Sequence, residues 1–124
     1  MADRLLLELA DFEHMVHTGI YSEETGQPQL LRFTVQAQLK VEPRYEPDTP
    51  LDASKNYMDL KFAATTALTP GLHFKLIESV ADHICDTLFV SDDRVEAVTV
   101  KIVKLAIAEG TEKIGMTLIR ERRA

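Results

Sequence analysis

From residue 31 to residue 41 every second position is apolar: Leu31, Phe33, Val35, Ala37, Leu39 and Val41 alternate with Arg32, Thr34, Gln36, Gln38 and Lys40. Period-two alternation of that length predicts a strand with one face on a core and one in water. Residues 5–16 read less cleanly as its upstream partner, with Leu5, Leu7 and Leu9 on one parity. Residues 18–28 carry Gly19, Gly26 and Pro28, which predicts a loop joining an antiparallel pair. Pro43, Pro47 and Pro50 then hold an irregular connection to about Ala53. From Tyr57 the period changes, and Leu60, Ala63, Ala64, Ala67 and Leu68 form a helical stripe that Thr69-Pro70-Gly71 ends.

A second helix is predicted from about Phe74 to Phe89, burying Ile77, Val80, Ala81, Ile84 and Leu88, and Ser91-Asp92-Asp93 closes it. Two strands follow: Val98, Val100 and Ile102 alternate, and after a loop around Gly110 so do Ile114, Met116 and Leu118. The order ββααββ makes an α+β layer, a four-stranded antiparallel sheet with two helices on one face. The 124 residues suit one domain spanning 1–124. Exposed edges of long apolar strands invite pairing, so edge-to-edge oligomerisation is expected.

Composition narrows the partners. A formal net charge of −6 argues against nucleic acid, which calls for a basic excess. No apolar run approaches the roughly 20 residues of a membrane span. The amino terminus shows no signal-peptide pattern, and Cys85 alone cannot form an internal disulfide, so a reducing cytoplasmic setting is expected. His14 and His17 lie three apart in a strand-like segment and face opposite ways; His73 and His83 lie on or near another element. Neither pair predicts a metal site.

Five residues could carry chemistry. Lys104 continues the apolar parity of Val98, Val100 and Ile102. An amine that starts from the buried face becomes a usable base through desolvation, unless the strand has ended and it snorkels to water. Glu78, directly after Ile77, is either a first-turn acid favoured by the helix dipole or a carboxylate offered to paired N–H donors. Glu23 and Glu24 occupy the first long loop, where acids serve either solvation or function. Tyr57, opening the first helix, reads as an amphipathic plug of the core edge or as a proton-donating phenol.

Taken in order, these stretches resemble the dihydroneopterin aldolase family over nearly the whole chain. Gly19-Ile20-Tyr21, then Glu24 and Gln29, resemble that family's Gly-Val-Tyr…Glu…Gln loop. Asn56-Tyr57 resembles its Asn-Tyr or His-Tyr pair, and Phe74-Lys75-Leu76-Ile77-Glu78 its apolar–apolar–Glu helix start. The strand ending in Lys104, followed by Ile114-Gly115-Met116, resembles its lysine-bearing strand and last strand. The resemblance implies the tunnelling fold, and homo-oligomeric rings, tetramers commonly stacked into octamers, with sites between subunits. It implies a lyase that cleaves 7,8-dihydroneopterin by a retro-aldol step to 6-hydroxymethyl-7,8-dihydropterin and glycolaldehyde in folate biosynthesis. Glu78 and the backbone of Ile77 would bind the pterin. Lys104 would be the general acid or base, Glu24 a partner near the reacting end, and Tyr57 a proton-transferring phenol from the neighbouring subunit. No cofactor or metal is implied, because the substrate's own C=N accepts the electrons. Two departures stand out. Leu105 follows the lysine where the family often has Pro, and Ala53 stands where it usually has Asp. Leu105 also resembles the related dihydroneopterin triphosphate epimerases. A pterin-binding ring without catalysis is the third reading.

Overall fold

Alternation along the second strand produces the burial it predicts. In the computed structural model, which describes residues 2–20, 26–105 and 109–123, strand β2 (Gln29–Leu39) buries Leu31, Phe33, Val35 and Ala37 completely and Leu39 nearly so. Strand β1 (Leu5–Val16) precedes it; helices α1 (Met58–Ala64) and α2 (Ile77–Ser91) follow, then strands β3 (Val95–Lys104) and β4 (Ile114–Glu121). The sheet is antiparallel throughout, in the spatial order β1-β2-β3-β4. One face carries both helices. Its core joins Leu31, Phe33 and Val35 to Leu60, Ala63, Val80, Ile84, Leu88, Val98, Val100 and Ile102. The opposite face bears a polar cross-strand ladder: Arg32 donates to Glu13 (2.8 Å), Gln36 to Glu8 (2.6 Å) and Arg4 to Gln38 (2.9 Å). No described helix is long and apolar enough to cross a membrane.

Strand β1 blurs because it changes parity partway. Its register with β2 steps from Leu9↔Val35 to Phe12↔Phe33, so one extra residue bulges out. Asp11 takes φ 55° there, and its amide donates to Thr34 Oγ1 (3.2 Å). Odd positions turn toward the core before the bulge; Phe12, His14 and Val16 do so after it.

Both helices are shorter at one end than their apolar stripes suggest. Helix α1 stops at Ala64, and Leu68 reaches the core from a turn instead. The Thr65 hydroxyl donates to the Lys61 carbonyl (2.7 Å), a local bond that competes with continued helix. Helix α2 starts at Ile77 rather than Phe74, because Phe74 spends its backbone elsewhere. Its amide donates to the His17 carbonyl (2.8 Å) and its carbonyl accepts from the Gly19 amide (3.0 Å), forming an isolated bridge between Thr18 and Phe74. At the other end of α2, Arg122 donates to the carbonyls of Phe89 (2.9 Å), Asp92 (2.7 Å) and Val95 (2.7 Å), and lies over the Phe89 ring. A residue just beyond β4 thus caps a helix. Cys85 is a core residue, as its place on the helical stripe suggests, and burial pushes its thiol up to about 11.

Gly115 faces Val103 across β3 and β4, beside the pair Lys104↔Ile114. A Cβ there would run into the Ile102 carbonyl and stand 2.8 Å from Val103 Cα, both backbone atoms that cannot swing aside. Gly115→Ala should therefore cost about 1–3 kcal/mol of stability as strain. Chemical denaturation reads this as a lower midpoint at unchanged slope; an unmoved midpoint would show that β4 shifts freely.

Candidate functional site

The Thr18–Phe74 bridge makes one end of the sheet a meeting place. Beyond Val16, His17–Ile20 leaves β1 as a short extension along the segment that leads into α2. His73 tightens the joint, its Nε2 donating to the Gly19 carbonyl (2.7 Å). Leu31 of β2 lies opposite both His14 of β1 and Lys104 of β3, so the last residue of β3 ends at this same side of the sheet. Lys104, Gly19-Ile20 and the start of α2 thereby converge, from segments far apart in sequence.

Lys104 keeps the parity that its strand pattern predicts. It continues the row of Val98, Val100 and Ile102, all fully buried, and is itself half-buried at the strand end. Leu31 beside it is fully buried. The amine therefore leaves the backbone toward the helix-covered face and reaches out from an apolar base.

Glu78 occupies the first turn of α2 and is exposed, while Ile77 is buried. Leu76, the residue before the helix, is extended and supplies no side-chain cap. The opening amide N–H groups of α2 and the Glu78 carboxylate accordingly present donors and an acceptor side by side. Among the described residues, neither of two surface clefts is lined by Glu78 or Lys104. One, of about 160 Å³, lies between His14, His17, Leu68 and Phe74; another, of about 280 Å³, lies between Cys85, Phe89 and Arg120.

Tyr57 stands apart. It precedes α1 and is 64% exposed, which overturns the core-plug reading of its ring. Its neighbour Lys55 is bonded to Asp92, the residue that ends α2, whereas Glu78 begins α2. Fifteen residues of helix separate those ends, about 22 Å at 1.5 Å per residue. One chain thus brings Lys104, Ile77 and Glu78 to one end and Tyr57 to the other. Glu24 and Glu23 lie outside the described residues.

Several members of this arrangement were not visible in the linear pattern. His73 anchors a loop rather than a metal, and Thr18 is fully buried at the bridge. Their roles depend on a pairing across 56 residues, for which local periodicity holds no signal. Lys55 is likewise buried, with both of its carboxylate partners outside its own stretch of loop.

This fold has counterparts among known proteins. No curated protein matches the chain in sequence. Among solved structures, a dihydroneopterin aldolase from Burkholderia thailendensis bound to guanine superposes with a TM-score of 0.77 at 20% identity, over 98% of this chain and 93% of that one. The Escherichia coli dihydroneopterin aldolase in complex with neopterin superposes with a TM-score of 0.73 at 17% identity, over 96% of this chain and 99% of that one. At such identities the likeness establishes the fold. Residues 7–119 match the sequence family described as FolB, dihydroneopterin aldolase, and the chain belongs to that family.

Proposed function

We propose that this protein cleaves 7,8-dihydroneopterin by a retro-aldol reaction, in sites shared between neighbouring copies of the chain. One observation carries the reading. A lysine that starts from the buried face ends β3 on the side of the sheet where α2 opens with an exposed carboxylate and no side-chain cap. Membership of the dihydroneopterin aldolase family supports it. So do the guanine and neopterin bound by the two related proteins, since both ligands carry adjacent amino and ring N–H donors.

Glu78 accepts those two N–H groups bidentately, and the backbone at Ile77 flanks the ring. Lys104 takes the proton from the hydroxyl on the second side-chain carbon. The bond between the first and second side-chain carbons breaks, and the electron pair moves into the ring C=N. Glycolaldehyde leaves. A proton returned to the first carbon then restores the C=N and yields 6-hydroxymethyl-7,8-dihydropterin. Glu24 would be a partner in this chemistry, as the family resemblance implies. Tyr57 of a neighbouring copy moves the proton, a role its exposure and its distance from Glu78 require of a second chain. The free edges β1 and β4 supply the means of assembly, as a tetrameric or octameric ring. Leu105 favours a second reading, in which the cleaved fragments rejoin with the side-chain centre inverted.

Incubation with 7,8-dihydroneopterin and chromatography of the products separates these outcomes. Hydroxymethyl-dihydropterin with glycolaldehyde is the expected result. Recovered substrate with an inverted centre would replace cleavage by epimerisation, and bound but unchanged substrate would leave only a binding ring.

Two substitutions divide recognition from chemistry. Glu78→Ala should weaken pterin binding by about 2–3 kcal/mol, roughly 30- to 100-fold in Kd. Unchanged affinity in a titration would remove Glu78 from the site. Lys104→Ala should lower kcat by about 10²- to 10⁴-fold while binding stays nearly unchanged. Equal loss of binding and turnover would make the lysine structural.

A shared site also predicts complementation. Lys104→Ala and Tyr57→Phe chains, each weakly active alone, should regain part of the activity when co-expressed and co-assembled. Mixed rings no better than their parents would place both residues in one chain's site or in none.

A further inference from the structure

We propose that Lys55 is a positioning residue for Tyr57: its buried ammonium locks the backbone from which the phenol reaches a neighbouring copy. The inference rests on the proposed role of Tyr57, but the network behind it is independent of any substrate. Lys55 is the only charged residue fully buried among the described residues, at 4% exposure. Its Nζ donates to Asp59 Oδ2 at 2.7 Å and to Asp92 Oδ2 at 3.0 Å. Lys55 lies two residues before Tyr57 and Asp59 two residues after it, so the first bond spans the tyrosine.

The second bond ties that span to the rest of the fold. Asp92 ends α2, and its carboxylate also accepts from Arg94, through Nε at 3.0 Å, Nη2 at 2.9 Å and the backbone amide at 3.0 Å. Arg94 in turn donates through Nη1 to the carbonyl of Asp52, in the short 3-10 turn Leu51–Ala53. Hydrogen bonds from Arg94 first, and the nearby Lys55 after them, hold the Asp92 carboxyl well below the usual carboxylate range. Around the tyrosine, the Asn56 side chain accepts from the Met58 amide (2.9 Å) and the Tyr57 carbonyl from the Leu60 amide (3.1 Å). The backbone on both sides of Tyr57 is thereby fastened to the carboxyl end of α2 and the start of β3, while its ring is free to project.

Stability alone does not account for this choice. Burying an ammonium carries a desolvation penalty, and an apolar side chain of similar volume often does as well or better at such a position. What directional charge-assisted bonds add is a fixed geometry. A residue that serves another copy's site needs a rigid base, because misplacement of about 1 Å costs up to 10²-fold in rate.

The test is a double-mutant cycle on the full-length assembled protein with 7,8-dihydroneopterin, joined to a spectroscopic readout of Tyr57 itself. Lys55→Met should lower kcat about tenfold or more with KM little changed, and that loss should disappear in a Tyr57→Phe background. With 3-fluorotyrosine incorporated, Tyr57→Phe identifies the Tyr57 resonance. Lys55→Met should shift or broaden that resonance and leave those of Tyr21 and Tyr45 in place. Multiplicative losses in the cycle, or an unmoved Tyr57 resonance, would overturn the proposal. Absence of turnover by the parent protein would refute the aldolase reading alone, and the resonance would still decide the positioning role. Should Lys55→Met fail to fold, Asp59→Asn removes the half-exposed partner without stranding a buried charge, and the same two readouts apply.

Discussion

Two backbone hydrogen bonds, from the Phe74 amide to the His17 carbonyl and from the Gly19 amide to the Phe74 carbonyl, organise the functional end of this protein. They join the exit of the first strand to the approach of the second helix. By holding Phe74 extended they set the residue at which helix can begin. The first helical residue is then buried Ile77 and the second is exposed Glu78. Were helix to begin at Phe74, the Phe74 amide and carbonyl would be drawn into the first turn and the loop would lose its anchor. The bridge is small, yet it decides which side chain faces solvent at a helix start beside a lysine.

The parts of the fold that local periodicity could reveal were those whose packing is local. Strand β2 lies centrally with one face on the core, so its burial follows its alternation residue by residue. Lys104 was legible for the same reason: side-chain direction in a strand is set by parity, and β3 keeps step with β2 from Val98 to Lys104. Strand β1 was blurred by a bulge at which Asp11 adopts positive φ, which no hydrophobic pattern announces. The start of α2 and the end of α1 were misjudged because tertiary pairing and a threonine side chain overrode propensity. Tyr57 read as a core plug from its amphipathic character, but the core near it is already closed by Leu60 and by the Lys55 cluster. Clusters that join Lys55 to Asp92, or His73 to Gly19, exist only once the chain has folded.

Helix length imposes a further constraint. Lys104 and Glu78 gather at one end of α2 and Tyr57 at the other, so no side chain bridges them within one copy. Among the described residues β1 and β4 are the edge strands, and in the proposed ring each would extend the sheet into a neighbour. In the assembly we propose, that pairing would bring a phenol from one copy toward an amine from the next.

The two ends of α2 are built to opposite purposes. The carboxyl end is closed: Arg122 donates to the carbonyls of Phe89 and Asp92, and Lys55 and Arg94 both bond the Asp92 carboxylate. The amino end is open, with no side-chain cap and an exposed carboxylate. A helix left uncapped forgoes about 1 kcal/mol of local stability, and the bonding at its other end offsets such a loss without touching that end. The exposed Glu78 carboxylate thus stands at the open end of the helix, while Lys55, Asp92 and Arg122 hold the closed end. Tyr57 joins the two regimes, with a backbone in the bonded region and a ring outside it. In the proposed shared site, that division would let a residue about one helix length from Glu78 serve the neighbouring copy.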